Sequence, residues 1–343
     1  MTVFISGANG FIAQHVVKLL LEQNYKVIGS ARTQDKCDTL IKQFDNNLNL
    51  SMVVVPDLSK LDAFDAIFKE YGSEITVVLH TASPFRFNVT DVEKELLIPA
   101  CNGTLGILET IKKYSADKVE RVVITSSFGA ILDPSKMGDR AFVFDETMWN
   151  PFTWESCQNN PVIGYCASKK FAEQKAWEFL KQNRNLVKFK LATVNPVHVF
   201  GPHVFDSDIK DTMNCSTEVA NKFLKNGPNF EVKPNSKNQF IDVRDIAKAH
   251  MYAFQRENTI GKRLLLSCGD FNEQDIVNVV NTDFPTMKGK IPAGIPENAI
   301  VDKHTGAIVD CSKTKEILGF EFIDFKTSMD DTVGQILRVR GEL

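Results

Sequence analysis

Tyr165 and Lys169 stand four residues apart in Tyr165-Cys166-Ala167-Ser168-Lys169, inside a stretch of helical patterning. That spacing puts both side chains on one helix face, a turn apart. A phenol titrates at about 10 and is a slow proton shuttle near neutrality. A neighbouring ammonium favours the phenolate and tunes the hydroxyl towards general acid work. Tyr-x-x-x-Lys is common by chance, but a second feature joins it. A β-branched run ends in Thr125-Ser126-Ser127, and open α/β sheets bind ligands at the carboxyl ends of their strands. A hydroxyl there hydrogen-bonds a carbonyl as charge develops on its oxygen. A polar strand end with no such role is the competing reading of those three residues.

A nucleotide signal precedes this set. Gly7-Ala8-Asn9-Gly10-Phe11-Ile12-Ala13 follows an apolar run and opens a helical pattern. Glycines there permit a tight turn and close backbone approach to a pyrophosphate, which meets the positive end of the helix. The spacing is Gly-x-x-Gly-x-x-Ala, with Ala13 small enough for helix–strand packing. The second predicted strand ends Gly29-Ser30-Ala31-Arg32, followed by Lys36, and no carboxylate precedes Asp35. An NAD site places an acid there for the ribose hydroxyls. Arg32 instead suits adenine stacking and a forked contact to a 2′-phosphate, and Lys36 adds charge. These residues point to NADPH; two solvated surface cations are the alternative. Asp57-Leu58, after the third strand, is expected to flank the adenine, with helix capping as the rival role of Asp57.

These groups need a scaffold. Strand patterns at 2–6, 25–31, 53–55, 76–79, 121–125 and 186–194 alternate with helical patterns after residue 11 and at 61–70, 93–114 and 164–181. The alternation predicts a Rossmann-type, doubly wound α/β fold, with a parallel sheet buried on both faces. After Asn195-Pro196 the pattern loosens: 200–240 reads as loop plus a short helix, 243–257 as helix and 263–267 as strand. Residues 1–195, with 240–267 contributing, are expected to bind NADP; 196–239 and 268–343 are expected to form a smaller substrate-binding region.

The chain has 343 residues, 43% of them hydrophobic and 24% charged. This composition excludes disordered and fibrous architectures. Forty basic against 43 acidic residues leave a formal charge of −3, which gives no footprint for nucleic acid or anionic lipid. No run approaches the roughly 18 to 20 apolar residues of a membrane span. The first residues, Met1-Thr2-Val3-Phe4-Ile5-Ser6, lack a basic n-region and a cleavage site, so a strand is expected there and not a signal peptide. Seven scattered cysteines without a Cys-x-x-Cys pair read as free thiols of a cytoplasmic protein. The six histidines do not cluster with carboxylates at ligand spacing, so no metal is expected. With no obvious exposed apolar helix face, a monomer is the default, a dimer the alternative.

The sequence resembles the extended short-chain dehydrogenase/reductases, within them the dihydroflavonol-reductase-like branch. The likeness runs over essentially the whole chain. It rests on the stretch from Ser6 through the glycine turn to Gln14-His15, on His80-Thr81-Ala82-Ser83-Pro84-Phe85, on Trp149-Asn150-Pro151 and on 154–157. Residues 165–173, Asn195-Pro196, Val199-Phe200-Gly201-Pro202 and Ile241-Asp242-Val243-Arg244-Asp245 extend it. The resemblance implies Ser127, Tyr165 and Lys169 as the catalytic set: Tyr165 as proton donor, Lys169 on the nicotinamide ribose, and Ser127 orienting the carbonyl. Asn102 corresponds to a family asparagine that supports a proton relay, or serves helix packing. Gly7, Asn9, Gly10, Phe11, Ile12, Arg32, Lys36, Asp57, Leu58, Thr81, Ala82, Ser83, Pro196, Val199 and Ser216 are the implied cofactor contacts.

Phe85, Phe128, Val162, His198 and Phe205 are the expected substrate pocket, although such aromatics equally suit a core. His198 departs from the tyrosine expected in the family and is either a polar anchor or a partly buried neutral histidine. The implied activity is NADPH-dependent reduction of aldehydes and ketones, such as methylglyoxal, 3-methylbutanal and hydrophobic prochiral ketones. An NADP(H)-sensing regulator without turnover and a sugar-nucleotide epimerase are the alternatives.

Overall fold

The computed structural model describes residues 1–83, 88–233, 237–301, 303 and 305–343. In chain order its strands are β1 (Thr2–Ser6), β2 (Lys26–Ala31), β3 (Leu50–Val54), β4 (Ile75–His80), β5 (Arg121–Thr125), β6 (Val143–Phe144), β7 (Lys190–Pro196), β8 (His198–Phe200), β9 (Asn238–Asp242), β10 (Arg263–Leu266), β11 (Gly269–Phe271) and β12 (Ile308–Val309). The helices are α1 (Phe11–Glu22), α2 (Gln34–Gln43), α3 (Asp65–Tyr71), α4 (Ile98–Tyr114), α5 (Pro161–Asn183), α6 (Cys215–Lys225), α7 (Val243–Gln255), α8 (Glu273–Asp283), α9 (Ser312–Leu318) and α10 (Phe325–Arg340). Contacts divide the chain into two compact units.

The first unit comprises Met1–Asp133, Glu146–Asn195 and Ala247–Leu265. Its sheet has the order β10-β7-β5-β4-β1-β2-β3, and the pairs from β3 across to β7 are parallel. The chain winds outward from β1 to β3, then returns to β4 on the other side. That reversal makes the carboxyl ends of β1 and β4 the switch point at which such sheets take ligands. Phe4, Ile28, Val78, Val122 and Ile124 face a core completed by Phe64 and Phe68 near and in α3, Ile107 and Ile111 of α4, and Phe179 of α5. The alternate residues Val3, Ile5, Val27, Val77, Leu79 and Val123 are equally buried. Both faces are therefore covered, as the unbroken apolar runs require.

α5 starts where Asn160 accepts from the backbone N–H groups of Val162 and Ile163 at 2.9 and 3.2 Å, with Pro161 in the first turn. The pattern read as one helix over 93–114 is two elements. A π-helical turn, Glu93–Leu97, precedes α4, whose first turn holds Pro99. A single wide turn shifts the phase too little to show in residue periodicity.

The second unit comprises Pro134–Asp145, Pro196–Ile246 and Leu266–Leu343. In it β9 pairs antiparallel with β11 and parallel with β8. Phe200, Phe240, Phe271 and Phe325 form an aromatic core with Met329 and Val333 of α10 and Ile276 of α8, the rings meeting mostly edge to face. The two-residue strand β6 joins this unit by pairing with β12, and Ala307 donates its backbone N–H to Met137 O. All seven cysteines are free. Among the described residues no helix is long and apolar enough to cross a membrane.

Candidate active site

The turn after β1 is built for backbone approach. Gly7 has φ +67°, and a Cβ there would lie 3.1 Å from that of Ala82, so a side chain is excluded by conformation and by space. Gly10 N–H closes the turn onto Gly7 O at 2.9 Å. Gly10 is also the N-cap of α1 and supplies no side-chain cap, so the positive end of the helix dipole, at Phe11 and Ile12, begins directly beside the glycine turn. Asn9 lies in the same turn, partly exposed. Beside it, Ser6 Oγ accepts from Ala82 N–H at 3.1 Å and lies 2.9 Å from His80 Nδ1. Thr81 Oγ donates to Ser6 O. Thr81 and Ala82 are thus fixed against the glycine turn at the switch point, and Ser83 follows them in the chain.

Arg32, Asp57 and Leu58 line one cavity of about 340 Å³, with Pro56, Lys94 and Pro99. Asp57 accepts from Ser59 N–H and Oγ at 2.9 and 2.6 Å, which holds its carboxyl below the usual carboxylate range. Because α3 begins only at Asp65, Asp57 shapes a local turn and caps no helix. Leu58 sits against Gly103, where a Cβ would come within 2.5 Å of it. Lys36 lies exposed in the first turn of α2, outside that cavity's lining. Asn102 is in α4, partly exposed.

Tyr165 and Lys169 share a face of α5, with Lys169 Nζ 6.0 Å from the tyrosine ring centre. Tyr165 packs on a cluster that includes Leu96 and Leu97 from the π-helical turn and Val92 just before it. Gly164 permits this, since a Cβ would fall 2.4 Å from Val92 Cγ1. Lys169 is 8% exposed and donates to Thr125 O at 3.3 Å. Burial pulls its ammonium down to about 8, against the opposing charge of Glu173. Burial, and then the charge of Lys169, push His80 down to about 3, so the imidazole is neutral at physiological pH.

Ser127 caps the short turn Phe128–Ala130, its Oγ accepting from Gly129 N–H at 2.9 Å. Phe128 is buried; Val162, one turn before Tyr165, is more than half exposed. Asn150 ties the serine turn to the tyrosine helix: its Nδ2 donates to Gly129 O at 2.7 Å and to Cys166 O at 2.9 Å. The sequence reading gave Asn150 no task, because its partners belong to segments remote in the chain.

Glu173, one turn beyond Lys169, was also missed. It accepts from Ser126 Oγ at 2.5 Å, Asn195 Nδ2 at 2.8 Å, Thr193 Oγ at 3.0 Å, Trp177 Nε1 at 3.2 Å and Arg263 Nε at 2.6 Å. The i+4 repeat 165, 169, 173 was the available signal.

The remaining expected residues lie in the second unit, apart from Phe85, which is outside the described residues. Pro196 is buried at the end of β7. Val199 N–H donates to Ser216 Oγ at 3.2 Å, so these two meet as neighbours of β8 and α6. The His198 ring stands edge-on to Phe271 at 5.9 Å, and burial pushes its pKa down. This environment favours the neutral histidine of the two readings. Phe205, partly exposed, precedes the short turn Asp206–Asp208.

Comparison with known proteins decides the family. The model of the NAD dependent epimerase/dehydratase family matches residues 3–269. The chain belongs to that family. It is 54% identical over 343 residues to the NADPH-dependent methylglyoxal reductase of Saccharomyces cerevisiae, covering 100% of both chains. It is 34% identical to a ketoreductase of Aspergillus niger, over 98% of this chain and 97% of that one. The crystal structure of yeast methylglyoxal/isovaleraldehyde reductase complexed with NADPH matches with a TM-score of 0.98 and 54% identity, over 100% of both chains. The expected family likeness and doubly wound sheet are both borne out.

Proposed function

We propose that the chain is an NADPH-dependent carbonyl reductase that converts aldehydes and ketones to alcohols. The carrying observation is the assembly, within one unit, of a glycine turn at the start of α1 with the turn of Ser127 and the helix of Tyr165 and Lys169, the latter two elements tied together by Asn150 through Gly129 O and Cys166 O. Full-length likeness to reductases, one of them solved with NADPH, supports it.

The residues fit that cofactor. Gly7 and Gly10 present no Cβ where a pyrophosphate would lie, and the positive end of α1 begins beside them. Arg32 and Lys36 are assigned to the 2′-phosphate, Asp57 and Leu58 to the adenine, and Thr81 to Ser83 to the cofactor where it passes the end of β4. When bound, NADPH supplies the hydride for the carbonyl carbon. Tyr165 gives its hydroxyl proton to the carbonyl oxygen. The Lys169 ammonium beside it eases that transfer by favouring the phenolate left behind. Ser127, whose Oγ accepts from Gly129 N–H, keeps its own O–H to donate to the same oxygen. Methylglyoxal, 3-methylbutanal and hydrophobic prochiral ketones are the proposed substrates, and a monomer in the cytoplasm is the proposed state. Cofactor binding is assigned to 1–195 with 240–267, and substrate selection to 196–239 and 268–343.

Tyr165→Phe tests the assignment. Turnover should fall by about 10²- to 10⁴-fold while NADPH binding, followed by fluorescence titration, survives. Undiminished turnover would remove Tyr165 as the proton donor.

A further inference from the structure

Glu173 is 1% exposed, yet it receives hydrogen bonds from five side chains on four other positions of the sheet and on its own helix. A carboxylate this deep is held by pairing and by donors. Arg263 supplies the pairing and is itself anchored elsewhere. Its NH1 donates to Glu146 O at 2.7 Å and to Met148 O at 2.6 Å, and its guanidinium lies 3.8 Å from the centre of the Trp149 ring. Ser126, one of the donors, precedes Ser127 in the chain, and Asn195, another donor, also bonds Ser127 O at 3.3 Å.

The same carboxylate faces Lys169. The two are four residues apart on α5, and both line a small polar cavity with His80, Thr104, Thr125 and Ser126. The hydrogen bond Lys169 makes, to Thr125 O, is to a neutral acceptor, so a buried ammonium there needs a counter-charge from its surroundings. Among the described residues, the groups around it are Tyr165 and Glu173 on α5, the neutral imidazole of His80 on β4, and the uncharged Thr125 and Ser126 at and just past the end of β5. Arg263, from β10, reaches the same carboxylate with the opposite sign.

We propose that Glu173 is a positioning residue of the proton-transfer site, its carboxylate keeping Lys169 protonated, and that Arg263 sets how much of that charge Lys169 feels. The proposal rests on the reading of Tyr165 and Lys169 as the catalytic pair. Glu173 touches no substrate; it acts through Lys169 and through the backbone of Ser127.

Two variants of the full chain carry the test, Glu173→Gln and Arg263→Gln. The readout is the alkaline limb of kcat/KM for reduction of a carbonyl compound by NADPH. That limb belongs to the coupled Tyr165–Lys169 pair. Removing the negative charge should move it down by about 1 pH unit. Removing the arginine unmasks the carboxylate and should move the limb up. NADPH affinity at pH 6.5 and the melting curve report folding separately, and either variant alone suffices if the other fails to fold. Loss of packing does not produce opposite shifts. A limb that stays put in a folded variant, or moves the same way in both, overturns the proposal. Full turnover by Tyr165→Phe would instead show that the underlying catalytic reading is wrong.

Discussion

Burial and a neighbouring carboxylate pull the Lys169 ammonium in opposite directions, and burial wins, leaving it at about 8 against an ordinary value of 10.5. A depressed lysine keeps its charge below the shifted value and loses it above. Turnover that depends on the ammonium should therefore hold towards neutral pH and fall as pH rises through about 8, seen as the alkaline limb of kcat/KM. Arg32 permits a second prediction. If it forks onto the 2′-phosphate, Arg32→Ala should lower the preference for NADPH over NADH by about 10- to 100-fold, measured as the ratio of kcat/KM values. Tyr165 and Lys169 were legible because a helix brings i and i+4 together. Glu173 has the same spacing, but its meaning comes from Ser126, Thr193, Asn195 and Arg263. Strand pairing brings those residues in, and local spacing does not encode it. Phe85, expected in the pocket, lies outside the described residues.

Two short segments and one helix decide whether the proposed catalytic groups face each other. Asn150, 2% exposed, bonds the serine turn through Gly129 O and α5 through Cys166 O. Asn150→Ala leaves two buried carbonyls without this donor and should cost about 1–3 kcal/mol, measured by urea unfolding. It should also lower kcat more than it raises KM for NADPH, because Ser127 loses its alignment with Tyr165. The main strands and helices were legible from aliphatic runs and helical spacing. The π-helical turn Glu93–Leu97 was not, although it supplies Leu96 and Leu97 to the packing of Tyr165. Strands of two residues, β6 and β12, carry too little pattern to read. They nevertheless decide that Pro134–Asp145 belongs to the second unit.

At the scale of the whole molecule, the alternation of strand and helix patterns announced a doubly wound sheet, because both-face burial leaves continuous apolar strands. The second unit was harder to foresee. Its core is a set of phenylalanines, Phe200, Phe240, Phe271 and Phe325, joined by contacts far apart in sequence and without period. Family membership follows from the match over residues 3–269, and likeness to reductases extends over the full length. The central property of the molecule is that it moves hydride from NADPH to a carbonyl compound. The direct test is oxidation of NADPH and, in parallel, NADH by the purified protein with methylglyoxal, 3-methylbutanal and an aryl ketone. The expected result is carbonyl-dependent turnover with strong preference for NADPH. Equal rates with NADH would contradict the roles of Arg32 and Lys36, and tight NADPH binding without reduction of any of the three would contradict the reductase itself.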